Sequence, residues 1–258
     1  MSPSIIYLVI NLESATERRE SIISQAAEHG FTPQFIPAIA GGELTPDHLA
    51  HYDEAHLRRY YAYRLIPNEI ACSFSHRKAL RAFLESGAEY AVILEDDALL
   101  DVRFNEGIHL LTEQLSGWEV AKLQMDPGRL SPLPLAAQGS GLEPVYSRKI
   151  GCEITGMVYT RRAAQILYDG LERIWLPVDS QIYQLILDHQ LPTIGLRPTL
   201  LFQPYGNSCI DPTLSVRSTT KQRRTLVQYL RHRTRILRNT LLKQKLYRKV
   251  LRCVRRTA

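Results

Sequence analysis

The chain reads as an α/β fold with a parallel sheet and a basic amphipathic helical tail. Three observations predict this. Ile5–Ile10 is a nearly continuous apolar run, followed by a helical pattern and a second strand-like stretch over Thr32–Ala38, which together make a βαβ opening. Tyr90-Ala-Val-Ile-Leu-Glu95-Asp96-Asp97 repeats the strand signal, with Val92, Ile93 and Leu94 in the profile of a strand buried on both faces. Charge is segregated along the chain. Fifteen Lys or Arg and no Asp or Glu lie between Arg217 and Ala258, against seventeen basic and twenty-six acidic residues over 1–216, a net of −9 there. The overall +6 therefore hides an acidic body, 1–216, and a basic tail, 217–258.

The elements follow in order. Ser14 fits a helix N-cap, with Glu17 completing a capping box. That helix carries Ile22, Ile23, Ala26 and Ala27 on one face and stops at Gly30. Gly41-Gly42 marks a loop, and the polar, tyrosine-rich Thr45–Tyr63 predicts short helices over the sheet edge. Pro67 suits the first turn of a helix running from Asn68 to Ser86, with Ala71, Phe74, Ala79 and Phe83 apolar and Gly87 closing it. Past the acidic strand, Phe104–Leu115 reads as helix and Glu119–Leu123 as strand. Ser131–Gly141, rich in Pro, Gly and Ser, reads as a mobile loop. Glu143–Ser147 and Ile154–Tyr159 read as strands, and Arg161–Leu171 as a helix capped by Thr160. Pro177 opens a helical stretch over Asp179–His189, and Thr193–Phe202 is a strand region broken by Pro198. The tail predicts a helix over Gln222–Val254. Leu230, Leu237, Leu241, Leu242, Leu246, Val250 and Val254 recur there at helical spacing among Arg and Lys.

Several classes are excluded or disfavoured. No apolar run approaches the roughly 20 residues of a membrane span, and Met1-Ser-Pro-Ser has no basic leader region, so a cytoplasmic location is expected. Cys72, Cys152, Cys209 and Cys253 are far apart, with neither metal-ligand nor disulfide-framework spacing; Cys72 and Cys152 suit core packing. The first strand leads to Asn-Leu-Glu-Ser rather than to glycines, which disfavours dinucleotide and P-loop folds. There is no nucleophile elbow and no zinc-type His/Glu motif. The tail suits an anionic membrane surface first, docking onto a partner or the body second, and nucleic acid third. Tyr229 and Tyr247 are its only aromatic residues, so it offers little stacking surface for bases.

The chemistry concentrates at strand ends. Three adjacent carboxylates, Glu95, Asp96 and Asp97, close a buried strand where open α/β sheets bind ligands. Their mutual repulsion is relieved most directly by a hard divalent cation with oxygen ligands, and such cations also hold phosphates. A solvated acidic turn is the plainer alternative. Asn11, Arg18 and Arg19 follow the first strand; Asn68, Glu69, Ser75 and His76 precede the acidic one; Asp179 follows Pro177-Val178. Each has an ordinary structural explanation too: a solvated helix face for the arginines, a helix start for Asn68 and Glu69, a core histidine for His76, a helix cap for Asp179.

Taken together these segments resemble glycosyltransferase family 25, the bacterial lipooligosaccharide β-galactosyltransferases and their collagen-galactosyltransferase relatives. The resemblance rests on Tyr7-Leu-Val-Ile-Asn-Leu12 with Glu17-Arg-Arg19, Asn68-Glu-Ile-Ala-Cys-Ser-Phe-Ser-His76 and Ala91-Val-Ile-Leu-Glu-Asp-Asp-Ala98. Gly156-Met-Val-Tyr-Thr-Arg-Arg-Ala-Ala164, Pro177-Val-Asp179 and Gln203-Pro-Tyr-Gly-Asn-Ser208 continue it, so that it spans residues 4–210. One departure is Ala71, where the family has Gly, and the basic tail lies outside the family core.

The resemblance implies a GT-A-like, Rossmann-type nucleotide-sugar-binding domain in which the acids stand for a variant Asp-X-Asp motif. Mn²⁺ or Mg²⁺ would link Asp97 and Glu95 (or Asp96) to the diphosphate of a UDP-sugar. Asn11, Arg18, Arg19, Asn68, Glu69, Ser75, His76 and Asp96 would line the donor site. An inverting transfer needs a carboxylate base, for which Asp179 is the first candidate and Glu153 the second. The expected function is a β-galactosyltransferase using UDP-galactose to extend lipooligosaccharide, peripheral on the cytoplasmic face of the inner membrane. A glucosyl- or N-acetylglucosaminyltransferase, or a basic-tailed binding protein without turnover, are the alternatives.

Overall fold

In a computed structural model that describes residues 2–125, 130–133, 135, 141–147, 154–203 and 224–257, the βαβ opening forms as the sequence predicts. Strand β1 (Ile5–Asn11), helix α1 (Thr16–His29) and strand β2 (Pro33–Pro37) are followed by a 3-10 turn at Gly41–Glu43 and the short helices α2 (Pro46–Ala50) and α3 (Glu54–Arg58). Next come α4 (Pro67–Ser86), β3 (Tyr90–Glu95), β4 (Leu99–Leu100) and α5 (Phe104–His109), which widens into a π-type turn at Leu110–Gln114. Strands β5 (Leu115–Ser116), β6 (Val120–Lys122), β7 (Leu130–Pro132), β8 (Glu143–Ser147) and β9 (Gly156–Thr160) lead to α6 (Arg161–Gly170) and α7 (Val178–Asp188). The described chain closes with β10 (Thr193–Arg197), β11 (Leu201–Phe202), α8 (Leu226–Cys253) and β12 (Arg255–Arg256).

The main sheet runs β2-β1-β3-β9-β6-β10-β8-β7. It is mixed, not parallel as the opening suggests. β2, β1 and β3 are parallel, as are β6 and β10, but β9 lies antiparallel between β3 and β6, and β8 and β7 are antiparallel at the far edge. The apolar run Met157–Tyr159 reports burial on both faces but carries no sign of direction, so extending the first βαβ unit to the whole sheet fails at β9. Leu8, Val9, Val92, Leu94, Val120 and Val158 are fully buried and form the sheet's spine.

Local corrections are small and have clear causes. Helix α1 starts at Thr16, because the Ala15 N–H bonds back to the Leu12 carbonyl at 2.9 Å and makes a tight turn of the segment holding Ser14. Ala15 is the capping position, with no side-chain cap. Gly30 (φ 70°) and Gly87 (φ 77°) end α1 and α4 in left-handed conformation, as glycine allows at small cost. The Thr160 hydroxyl accepts from the Ala163 N–H and caps α6 as expected.

Helix α8 begins beyond the boundary drawn at 216, which itself falls outside the described residues, and it is joined to the body. The leucine series separates onto two faces. Gln228, His232, Arg235, Asn239, Leu242, Leu246 and Val250, spaced three and four apart, face the body. Three of the first four make polar contacts: Gln228 Nε2 donates to the Arg58 carbonyl at 2.7 Å, Arg235 donates to Gln184 Oε1 at 2.8 Å and to the Tyr61 hydroxyl at 3.1 Å, and Asn239 Nδ2 donates to Gln184 Oε1 at 3.0 Å, while the His232 ring packs edge-on against Tyr61. The Arg235 guanidinium also lies 4.8 Å from the centre of the Trp175 ring. Further along, Leu246, Val250 and Val254 join the core, and β12 pairs antiparallel with β5. Leu226, Leu230, Leu237 and Leu241 point the other way and are exposed. No described helix is long and apolar enough to cross a membrane.

Candidate active site

Parallel strands place their carboxyl ends and the loops that follow on one edge of the sheet. Ile10 of β1 is in register with Glu95 of β3, and Asn11 with Pro37 of β2, so three loops meet at that edge. They enclose a cleft of about 380 Å³ lined by Arg18, the Ala38–Gly42 segment, Asn68, Cys72, Ser75, His76, Glu95, Asp96, Asp97 and Gln203.

The three acids part ways inside it. The Glu95 carboxylate lies 3.2 Å from Nε2 of the buried His76. Asp96 accepts from Asn11 Nδ2 and from Arg18 Nη1, each at 2.9 Å. Asp97 Oδ2 accepts from Gln203 Nε2 at 2.9 Å and lies 3.7 Å from Arg18 Nη1. Asp97 Oδ1 is buried and accepts no hydrogen bond among the described residues. Burial pushes the Asp97 carboxyl above its ordinary range. Its Gln203 hydrogen bond opposes that shift, as does Arg18, while Glu95 and Asp96 reinforce it.

A buried, unpartnered carboxylate oxygen among oxygen donors is the condition a hard divalent cation relieves. Asp97, two residues beyond Glu95 at the end of β3, offers such an oxygen. A second group, Cys72, His76 and Glu95, has ligand atoms within 4.8 Å of one another. Burial holds the Cys72 thiol far above its usual range, and the nearby Glu95, Asp179 and Glu69 add to this. A thiol so reluctant to ionise suits packing better than ligation.

The other expected site residues divide into two sets. Asn68 Oδ1 accepts from the Gly41 N–H at 3.1 Å, and the Ser75 hydroxyl accepts from the Ile39 N–H at 2.9 Å. Both line the cleft and pin its Ala38–Gly42 wall to α4. The close approach needs glycine: a Cβ on Gly41 would stand 2.1 Å from Asn68 Oδ1. Asn11 supports Asp96 from the end of β1. Arg19 and Glu69 do not line the cleft. The Arg19 guanidinium stacks 3.8 Å over the Phe35 ring, and Glu69 Oε2 accepts from the Ile66 N–H in a capping box at the start of α4. Asp179 sits in the first turn of α7, where its carboxylate accepts from the Ser180 N–H. Burial raises its pKa, hydrogen bonds from Ser180 oppose this, and Glu69 and Glu95 reinforce it. Asp179 is therefore within electrostatic reach of the acids although it is not in the cleft lining. Glu153 lies outside the described residues.

Sequence reasoning missed three parts of the cleft. Gln203 stands in a segment that carries the family resemblance, yet nothing in its sequence context points to Asp97 as its partner. Cys72 carries the sequence signal of core packing and also lines the cleft. The Gly41-Gly42 pair signals a loop in the sequence, and a Gly-Gly pair after a parallel strand is also a signal of the close backbone approach that builds the Ala38–Gly42 wall.

Residues 5–127 match the sequence profile of Glycosyltransferase family 25 (LPS biosynthesis protein). This stretch of the chain is similar to that family. A glycosyltransferase 25 family member from Aedes aegypti is 27% identical over 127 residues, which cover 46% of this chain and 21% of the mosquito protein. The match therefore spans well under half of that relative. Two solved structures overlap loosely. A glycosyltransferase involved in glycosylation of the major capsid of PBCV-1 aligns with a TM-score of 0.44 at 12% identity, over 80% of this chain and 95% of that one. A Drosophila β-1,4-galactosyltransferase 7 mutant in complex with manganese, UDP-Gal and xylobiose aligns with a TM-score of 0.40 at 10% identity, over 81% and 78%. The matched segment contains every cleft residue named above except Gln203, and Asp179 also lies beyond it.

Proposed function

We propose that this chain is a UDP-sugar-dependent hexosyltransferase, an inverting β-galactosyltransferase that extends lipooligosaccharide. One observation carries the reading. The family-matched acids at the end of β3 enter a cleft in which Asp97 keeps a buried, unpartnered oxygen. The family's description as an LPS biosynthesis protein supports a lipid-linked glycan as acceptor. A lipid-anchored acceptor in turn favours work at the cytoplasmic face of the membrane.

Mn²⁺ or Mg²⁺ held by Asp97 and Glu95 would neutralise the diphosphate and the charge that develops on departing UDP. The protein's own groups supply the rest. Arg18 brings a guanidinium to the same edge, where it now holds Asp96 and stands near Asp97. His76 orients the Glu95 carboxylate. Asn68 and Ser75 hold the wall against which the donor would lie. Asp179, made more basic by burial, would take the proton of the acceptor hydroxyl.

The test is UDP release with UDP-galactose, UDP-glucose and UDP-N-acetylglucosamine in turn, with Mn²⁺ and with chelator, on lactose, glucose and N-acetylglucosamine glycosides. Metal-dependent release with UDP-galactose is expected. Release with another donor alone would replace galactose by that sugar, and failure to bind any UDP-sugar would overturn the reading.

A further inference from the structure

The outward face of α8 has no partner among the described residues. Leu226, Leu230, Leu237 and Leu241 are spaced four, seven and four apart, so one side of the helix presents them all. They are 73%, 54%, 67% and 61% exposed. Such a stripe is costly in water and unusual on a helix that already has a body-facing side. Around it Arg231, Arg233, Lys245 and Arg248 are exposed, and residues 217–258 contain no carboxylate side chain.

We propose that this face lies on the surface of a bilayer containing anionic lipid, with the leucines in the acyl boundary and the arginines and lysines at the headgroups. Charge decides the occupant. A second copy of the chain would bring like charges together at a face with no acid to pair them. Nucleic acid would leave the leucines without a role. An anionic bilayer satisfies both halves of the pattern at once. The inward face explains how the helix is presented: Arg235, Gln228 and Asn239 bond to the body, and Leu246 and Val250 enter its core, so the leucines on the other side stay outward. The inference rests on this surface alone and stands whether or not the cleft transfers a sugar.

The experiment is flotation of the full chain with vesicles of phosphatidylcholine, with and without roughly 30% phosphatidylglycerol, at two salt concentrations. Binding to the anionic vesicles, weakened by salt and absent on pure phosphatidylcholine, is expected. Leu230→Glu with Leu237→Glu should reduce it at least about tenfold while the melting temperature stays unchanged, because both side chains are solvent-exposed. Should that double variant fail to fold, Arg231→Gln with Arg233→Gln and Lys245→Gln gives a second reading, with the same loss and a shallower salt dependence expected. Absence of wild-type binding, or binding untouched by either set, overturns the proposal. So does a wild-type dimer that Leu237→Glu turns into a monomer, or tighter binding to duplex DNA that the leucine variants leave intact.

Discussion

The cleft and the outer face of α8 treat charge in opposite ways. In the cleft, three carboxylates adjacent in sequence accept from different groups: His76 faces Glu95, Asn11 and Arg18 hold Asp96, and Gln203 holds Asp97. Asp97 Oδ1 is buried and accepts no hydrogen bond among the described residues. On α8 the cations stand exposed and at intervals, with leucines between them. A half-buried charge awaiting one ligand suits capture of a single ion. Dispersed, solvated charges suit an extended surface of opposite sign.

Asp97→Asn tests the first half of that contrast and should have the largest effect. Transfer should fall about a thousandfold or more, with vesicle flotation unchanged. Stability should move the other way. The folded-state pKa of Asp97 is raised, so the native chain pays for ionising it as pH rises through that value. At pH 7 to 8 the cation-free variant should therefore melt higher than wild type, by about 2 to 4 °C for each kcal/mol recovered. The gain should shrink as pH falls through the raised folded pKa and vanish only well below the ordinary aspartate value of about 3.9, where Asp97 is protonated in both states. A variant that melts lower at neutral pH would mean that Asp97 is already neutralised within the protein.

Asp179→Asn comes next. A loss of about 10²- to 10⁴-fold in turnover is expected, with UDP-sugar affinity retained by titration calorimetry. In the wild type the acid limb of activity should lie above the ordinary carboxylate range, since the raised group must be ionised to act. Retained turnover would remove Asp179 from the mechanism. Arg235→Ala probes the inward face of α8 and should cost about 1 to 2 kcal/mol in urea unfolding through lost hydrogen bonds and ring contacts, with turnover of a soluble acceptor unaffected. A silent substitution would show that the apolar C-terminal half alone seats the helix.

What the sequence made legible was whatever depends on local pattern. β1, α4, β3 and α6 fall within a residue or two of their expected bounds, because apolar runs, Pro67, Gly87 and Thr160 are local signals. The acids at the end of β3 were legible for the same reason. Strand direction was not, since β9 is set by pairing with β3 and β6 rather than by its own residues. The two faces of α8 were not either: the leucine series reads as one stripe until the body selects Leu242, Leu246 and Val250 and leaves Leu230, Leu237 and Leu241 outside. Gln203 reaches Asp97 across a separation of 106 residues, which no spacing rule reports. Arg18 and Arg19 are neighbours on α1 that diverge to the cleft and to Phe35, a choice made by packing.

The Gly41-Gly42 pair carries a consequence for variation. A side chain at position 41 would meet Asn68 at 2.1 Å, whereas one at position 42 would meet nothing within 4 Å. Two identical adjacent residues should therefore show opposite tolerance in a saturation library selected for function. Position 41 should accept glycine alone and position 42 most residues, which marks the rim of the cleft to a resolution of one residue.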